Sequence, residues 1–578
     1  MATMIVNDVE VELGPKDNLI QAARRAGVEI PHYCWHPDLT VVASCRMCLI
    51  EVGEKKPDGT IAMGPKVVPA CQTPAKDGLV IKTDTPRVKQ AQGQTLEFIL
   101  LNHPLDCPIC DQAGECYLQD YTFKFGKAHS RLNEPKVQRI DKYHIGDEIA
   151  LFTDRCVMCT RCVRFTREVS GTAELQVISR GSVEEIDVFP GQPCNNKLAG
   201  NVVDICPVGA LCSKDFLYKK RVWWLKSQDS VCTGCSTGCS IRVDQDENVV
   251  QRLKPRENPL AQGNFMCDEG RYGFKYILDP ERLAAPAVQA SGSAVQALGT
   301  NGHAAKGIDA SADLTFIDPW PAILQMARAE IERAAASHPE QFVVVLSPFM
   351  TCEEAYLLAG FAKSKSPQIR LALGPIPVVG EDDRYPKDVH GNNPPLDKTR
   401  FTIRAEKCPN RIGVEEVIKH FEGKVTSFGD VLAAAKRGEF KGAYLVGGYP
   451  SAWISEEDAK SFGSLETLIV QDILPSPLSL IAKFVLAGGS FAEREGTVVN
   501  HAGLAQAIRP AVRPPRDARP DGRILMELVG RTGLFHAASL RNEIAENIPF
   551  FRNLGDGELG EWGCKLIEAA EPAAAPTV

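Results

Sequence analysis

Four sets of side chains in this sequence have the types and spacing of metal ligands. They are Cys34, Cys45, Cys48 and Cys71; His103, Cys107, Cys110 and Cys116; Cys156, Cys159, Cys162 and Cys206; and Cys232, Cys235, Cys239 and Cys267. Two thiolates in C-x2-C spacing can grip one soft metal centre, zinc or iron. Cysteines can instead form disulfides, but a disulfide scaffold is short, secreted and cysteine-dense throughout. Here 17 of the 20 cysteines precede residue 270 in a chain of 578. The opening MATMIVNDVEVEL has neither the basic nor the apolar region of a signal peptide. Reduced thiols binding metal in the cytoplasm are therefore expected.

The third set is the most specific. DRCVMCTRCVRF gives three cysteines at C-x2-C-x2-C, and DICPVGA gives Cys206 before Pro207. In two-cluster ferredoxins the run is C-x2-C-x2-C-x3-C-P, and the fourth cysteine serves the other cluster. Here the first run has Thr166 in its own fourth position. The second run has Asn196, Ala199 and Val202 where its first three cysteines would stand. One complete [4Fe–4S] site remains, with its neighbour erased. Zinc has little use for three thiolates in one tight loop. Arg161, Arg164 and Arg167 nearby either offset an anionic cluster or are simply solvated and salt-bridged.

The other sets follow the same logic. Cys34, Cys45, Cys48 and Cys71 have the ligand order of a plant-type [2Fe–2S] ferredoxin, with a first gap of ten residues instead of four. Zinc remains the alternative there. The spacing C-x2-C-x3-C-x27-C of the fourth set resembles the [4Fe–4S] subdomain that opens molybdopterin oxidoreductases. HPLDCPICDQAGEC, lying between iron–sulfur sets, reads as another [4Fe–4S] site. His103 is its candidate fourth ligand, and a neutral imidazole would make that cluster less negative; the alternative is an ordinary polar or capping histidine. Cys194, Cys212, Cys352, Cys408 and Cys564 lack metal-like spacing and read as small buried hydrophobes.

Several elements must position these ligands. MIV-ND-VEVEL predicts a hairpin, and Asp17 or Asn18 caps a helix ending near Gly27. A helix runs through VKQAQGQTLEFILLNHP, and IRVDQDENVVQRLK is strand-like. From residue 315 helices alternate with short apolar strands (ILQMARAEIERAAA, FVVVLSP, EEAYLLAGFAKS, AYLVGGYPS, ETLIVQDIL), which predicts α/β architecture. The expected divisions are 1–85, 86–130, 131–222, 223–283, an Ala/Gly/Ser-rich linker or insertion at 284–314, 315–566, and a disordered tail at 567–578. The net charge of −8 argues against nucleic-acid binding. No run of about 18 apolar residues spans a membrane.

CRMCLIEV, HPLDCPICDQAGEC, DRCVMCTRCVRF, GNVVDICPVGAL and CDEGR, in this order, resemble one family of respiratory proteins. It is the family of the large iron–sulfur subunit, the G subunit, of bacterial NADH:quinone oxidoreductase (respiratory complex I). The resemblance runs to about residue 280. It implies an α+β and α/β multidomain chain. A β-grasp [2Fe–2S] ferredoxin domain comes first, then a His-ligated [4Fe–4S] domain and a ferredoxin-like [4Fe–4S] domain. A truncated molybdopterin-oxidoreductase-like α/β region follows, opened by its own [4Fe–4S] subdomain. The implied cofactors are one [2Fe–2S] and three [4Fe–4S] clusters. The implied function is electron relay from flavin toward quinone, with no catalytic residue or substrate site on this chain. The implied partners are the flavin- and NADH-binding subunit and the next iron–sulfur subunit. The implied location is the cytoplasmic side of the bacterial inner membrane, reached only through the complex.

Two other classes compete. Formate dehydrogenase would need a Cys or selenocysteine followed by His beyond EEAYLL, where the chain reads KSKSPQIRLALGPIPVVGEDD; no molybdenum is expected. Iron hydrogenase would need further clustered cysteines, but only Cys352, Cys408 and Cys564 follow Cys267. A zinc-stapled interaction protein conflicts mainly with the third set.

Overall fold

Asn7 and Asp8 take left-handed backbone angles, φ 46° and 78°, so β1 (Thr3–Val6) turns directly back onto β2 (Val9–Glu12). That is the two-residue turn whose twist suits a hairpin. This is a computed structural model, and it describes residues 2–56, 58–288, 296–297, 318–555 and 559–566. The expected tail at 567–578 and most of the expected linker at 284–314 lie outside the described residues. The chain divides into two units: Met1–Leu225 with Arg384–Phe401, and Lys226–Asp383 with Thr402–Val578.

In the first unit, the Asn18 side chain accepts from the N–H groups of Ile20 and Gln21, and Gln21 caps Asn18 in return. This box starts α1 (Leu19–Arg25) and contributes about 1 kcal/mol. Gly27, at φ 71°, lies just beyond its end. β3 (Leu49–Lys55), β4 (Ile61–Pro69) and β5 (Leu79–Lys82) complete a five-stranded sheet, ordered β2-β1-β5-β3-β4. β1 and β5 pair in parallel; the other pairs are antiparallel. Met4, Val6, Leu19, Ile20, Trp35, Ile50 and Ile81 pack between this sheet and α1, together with Cys48 and Cys71.

Thr85 caps α2 (Pro86–Leu100), with proline in the first turn where its missing N–H costs nothing. α3 (Tyr117–Phe125), β6 (Ile149–Leu151), α4 (Arg161–Glu168), the hairpin β7 (Leu175–Ile178) with β8 (Glu185–Val188), α5 (Asn201–Ile205) and β9 (Leu211–Ser213) follow. β6 pairs with β9, bringing the two halves of the third cysteine set together. Residues 384–401 belong to this unit. Lys387 N–H donates to the Ser170 carbonyl at 2.8 Å. A Cβ on Gly171, at φ 78°, would come within 2.1 Å of the Lys387 carbonyl oxygen.

The second unit opens with an antiparallel sheet of β10 (Lys226–Val231), β11 (Ser240–Asp246) and β12 (Val249–Pro255). The stretch that reads as strand-like is a hairpin, turned at Glu247 and Asn248 (φ 50° and 67°). α6 (Asp268–Tyr272) follows. Beyond it lie five parallel strands, ordered Phe484–Ala487, Thr467–Asp472, Gly442–Val446, Phe342–Leu346, Arg370–Leu373. Phe342–Leu346 and Gly442–Val446 are buried at every residue, as parallel strands covered on both faces must be. Phe342, Val344 and Leu346 face one core, and Val343 and Val345 face the other. Ala287–Val288, within the stretch read as linker, pairs antiparallel with Phe484–Val485 and forms part of this sheet.

Candidate metal centres

Cys34, Cys48 and Cys71 are almost fully buried, and Cys45 half-buried. Cys34 N–H donates to Cys45 Sγ at 3.5 Å. Side-chain hydrogen bonds join Cys34 to Cys45, Cys34 to Cys71, and Cys71 to Cys48. The four sulfurs of the first set thus form one connected group. These bonds hold the Cys34 and Cys48 thiols below their ordinary range and push Cys45 and Cys71 above it. Ala43 and Arg46, both left-handed, turn the loop that carries Cys45 and Cys48.

Cys156, Cys159, Cys162 and Cys206 line one small cavity, walled by Leu151, Ile186, Pro207 and Leu211. Met158 and Thr160 are left-handed, and Met158 N–H points at Cys156 Sγ at 3.4 Å. Burial pushes Cys156 up to about 12 and Cys159 to about 11, and raises Cys162 and Cys206. The protein alone would keep these thiols protonated at neutral pH; binding a cation here would release protons.

The fourth set repeats the pattern. Cys232, Cys235, Cys239 and Cys267 line a small cavity with Met266 and Gly270. Cys232 follows β10, Cys239 precedes β11, and Cys267 caps α6. Gly234 N–H approaches Cys232 Sγ at 3.5 Å, and Gly270 N–H approaches Cys267 Sγ at 3.4 Å. Burial raises Cys232 to about 12 and lifts Cys239 and Cys267 well above the ordinary range.

His103, Cys107, Cys110 and Cys116 line a cavity of about 950 Å³. Cys110 and Cys116 are buried and Cys107 is exposed. Cys116 is the N-cap of α3, where helix N–H groups favour a thiolate; burial nevertheless raises it to about 11. Burial, with Lys136 nearby, pushes His103 down to about 4. Its imidazole is neutral at pH 7, the form with a lone pair for a metal.

Among the described residues, no group of three or more His, Cys, Asp or Glu side chains is disposed around a single ion. A polynuclear cluster holds its ligands at the corners of a body, and four thiols, or three and an imidazole, lining one cavity suit such a donor set.

The centres of the first unit are contiguous. Arg164 donates to the carbonyls of Cys34 (2.5 Å), Thr40 (2.6 Å) and Cys159 (3.2 Å). Arg161 donates to the carbonyls of Trp35 (2.6 Å) and Ile205 (3.1 Å). Both arginines are buried, whereas Arg167 is exposed, as a solvated arginine would be. Tyr117 N–H donates to the Pro207 carbonyl at 3.2 Å. The third set therefore touches the first on one side and the second on the other.

Sequence reasoning missed Arg155. It is 3% exposed, pairs with Asp106 at 2.9 Å, lies over the Phe152 ring and lines the His103 cavity. Its place directly before Cys156 was its only signal. Cys194, Cys212, Cys352 and Cys408 are buried, as expected; Cys564 is half-buried.

Known families match in the same order. A 2Fe–2S iron–sulfur cluster binding domain matches residues 1–86, and an NADH-ubiquinone oxidoreductase-G iron–sulfur binding region matches 92–131. An NADH-quinone oxidoreductase subunit 3 ferredoxin-like domain matches 146–212. A molybdopterin oxidoreductase Fe4S4 domain matches 225–279, and a molybdopterin oxidoreductase family matches 418–531. The NADH-quinone oxidoreductase G subunit of Rickettsia bellii is 28% identical over all of this chain and 94% of its own. This chain is similar to that G subunit along its whole length. The corresponding G subunit of Rickettsia felis is 40% identical over 51% of this chain and 43% of its own. The mitochondrial iron–sulfur protein 1 of NADH dehydrogenase [ubiquinone] from Solanum tuberosum is 41% identical over 51% of this chain and 38% of its own. The chain thus spans about two fifths of the length of the Rickettsia felis relative. Among the described residues, no helix is long and apolar enough to cross a membrane.

Proposed function

We propose that this chain is the iron–sulfur electron-transfer subunit of an NADH:quinone oxidoreductase, relaying electrons one at a time from a flavin subunit toward quinone. The observation that carries the reading is the contiguity of three ligand sets within one unit, joined through Arg164, Arg161 and the Pro207 carbonyl. Isolated zinc staples have no need of such contact.

Cys34, Cys45, Cys48 and Cys71 would hold a [2Fe–2S] cluster on a β-grasp domain. His103, Cys107, Cys110 and Cys116 would hold a [4Fe–4S] cluster, as would Cys156, Cys159, Cys162 and Cys206, and Cys232, Cys235, Cys239 and Cys267. Such clusters, when bound, supply one-electron oxidation and reduction. The chain itself fixes the ligands, excludes water and sets the charge around them. Leu151, Ile186 and Leu211 keep water from the third set. The N–H groups of Met158, Gly234 and Gly270 point at ligand sulfurs and favour added negative charge. His103 contributes no charge where the other ligands contribute one each.

The domain divisions at 85, 130, 222 and 283, a C-terminal α/β scaffold without molybdenum, and partners that bring flavin and the next iron–sulfur centres complete the reading. The chain would work at the cytoplasmic face of the inner membrane, held there by its partners. The test is rapid-freeze electron paramagnetic resonance on the whole complex. Signals of the first three centres should appear on adding NADH and fade once quinone is supplied. Centres that stay oxidised with NADH, although dithionite reduces them, would contradict the relay.

A further inference from the structure

We infer that Arg164 is a shared positioning residue of the first and third centres, fixing their separation and raising the potentials of both. The inference rests on the relay reading but reaches beyond it, because it assigns the coupling of two centres to one side chain.

Arg164 stands in α4, two residues after Cys162, and is 7% exposed. One nitrogen, Nη2, donates to the backbone carbonyl of Cys34, a ligand of the first set, and to that of Cys159, a ligand of the third. Nη1 reaches Thr40 O, on the loop between Cys34 and Cys45, and Nε reaches Thr160 Oγ1 at 3.4 Å. A planar guanidinium with donors on three nitrogens makes these contacts at once; an ammonium on a flexible stem does not reproduce them. Arg161 runs alongside, from Trp35 O to Ile205 O, with its Nε buried and without a hydrogen-bond partner.

These partners are neutral. A buried cation bonded to neutral groups is costly unless an anion lies near. Glu168, whose carboxylate accepts from Thr40 N–H at 2.8 Å, supplies part of that negative charge, and the ligand thiolates of loaded centres on either side would supply the rest. In return, a fixed positive charge between two centres favours the electron-rich state of each. One residue therefore acts on two potentials in the same direction, which a residue that merely packs would not do.

The test uses the assembled complex with Arg164→Gln and Arg164→Lys. It reads iron content, the midpoint potential of each centre by paramagnetic resonance titration, and the electron-transfer rate between the first and third centres. In Arg164→Gln, both potentials should fall together. In Arg164→Lys, which keeps the charge but loses the fork, the potentials should fall less and the transfer rate should drop several-fold. If the glutamine variant does not assemble, the lysine variant decides by its rate. Wild-type potentials and rate in a fully loaded variant would overturn the inference, as would a shift confined to the third centre. A wild-type complex lacking either signal would overturn the relay reading, and this inference with it.

Discussion

The backbone N–H of Tyr117 donates to the carbonyl of Pro207 at 3.2 Å, and each of these residues directly follows a proposed ligand, Cys116 or Cys206. The second and third centres are thus held together by a peptide hydrogen bond between the residues after their cysteines. Close to this bond, the two segments approach each other again at Gly209. A Cβ on Gly209 would lie 2.1 Å from Cys110 Sγ and 3.0 Å from Gln112 Cβ. Gly209→Ala should therefore displace Cys110 and empty the second centre, with a loss of about four iron atoms per chain. Iron content and the loss of one tetranuclear signal check this; unchanged iron would show that the loop yields.

His103 faces its cavity as a neutral imidazole. Replacing it by cysteine adds one negative charge to the ligand set. His103→Cys should keep a four-iron cluster and lower its midpoint potential, the reverse of the rise that histidine ligation brings in Rieske centres. His103→Ala should lose that cluster or leave it open to oxidation. A redox titration of the second centre reads both variants.

Asp472 is buried at the end of its strand. Its carboxylate accepts from Gly448 N–H, Ile473 N–H and Trp453 Nε1, each at 2.8 Å. Burial outweighs these donors and pushes its pKa up to about 6 from 3.8. The folded state therefore favours the protonated form. The stability this gives is full below about pH 4 and is lost as pH rises through about 6. It amounts to about 3 kcal/mol at most. Between pH 4 and 6 the wild-type chain should lose stability relative to Asp472→Asn. Denaturant midpoints of both chains from pH 4 to 8 measure the slope.

Arg282 and Glu493 form a two-pronged ion pair, both bonds 2.7 Å, with both side chains buried. Arg282→Met alone strands a carboxylate and should cost about 3–5 kcal/mol. Arg282→Met with Glu493→Met should recover much of that loss. Equal destabilisation by the single and double variants would show that the pair's charges are not what matters.

Local signals were legible and distant contacts were not. The Asn7-Asp8 turn, the Asn18 cap and the alternation of helices and parallel strands all follow from short-range chemistry, and the structure has them at those positions. The grouping of the second, third and fourth sets also follows from spacing, because three of the four ligands in each lie within a few residues of one another; in the first set only Cys45 and Cys48 do. The contact of Cys34 with Arg164 crosses 130 residues of sequence, and no periodicity encodes it. The return of residues 384–401 to the first unit is likewise invisible, since a polar loop reads alike wherever it docks. Arginines 161, 164 and 167 look equivalent in sequence, and only the fold separates two buried bridging residues from one exposed residue. The Ala/Gly/Ser-rich stretch hid a sheet strand at Ala287–Val288, because two residues carry no pattern.

Electron relay through this chain requires that these sixteen ligands hold iron–sulfur clusters. Iron, acid-labile sulfide, zinc and molybdenum content of the anaerobically purified chain measure that without an intermediary. We expect about fourteen iron atoms per chain with matching sulfide, and neither zinc nor molybdenum in stoichiometric amount. Zinc without sulfide would contradict the iron–sulfur reading.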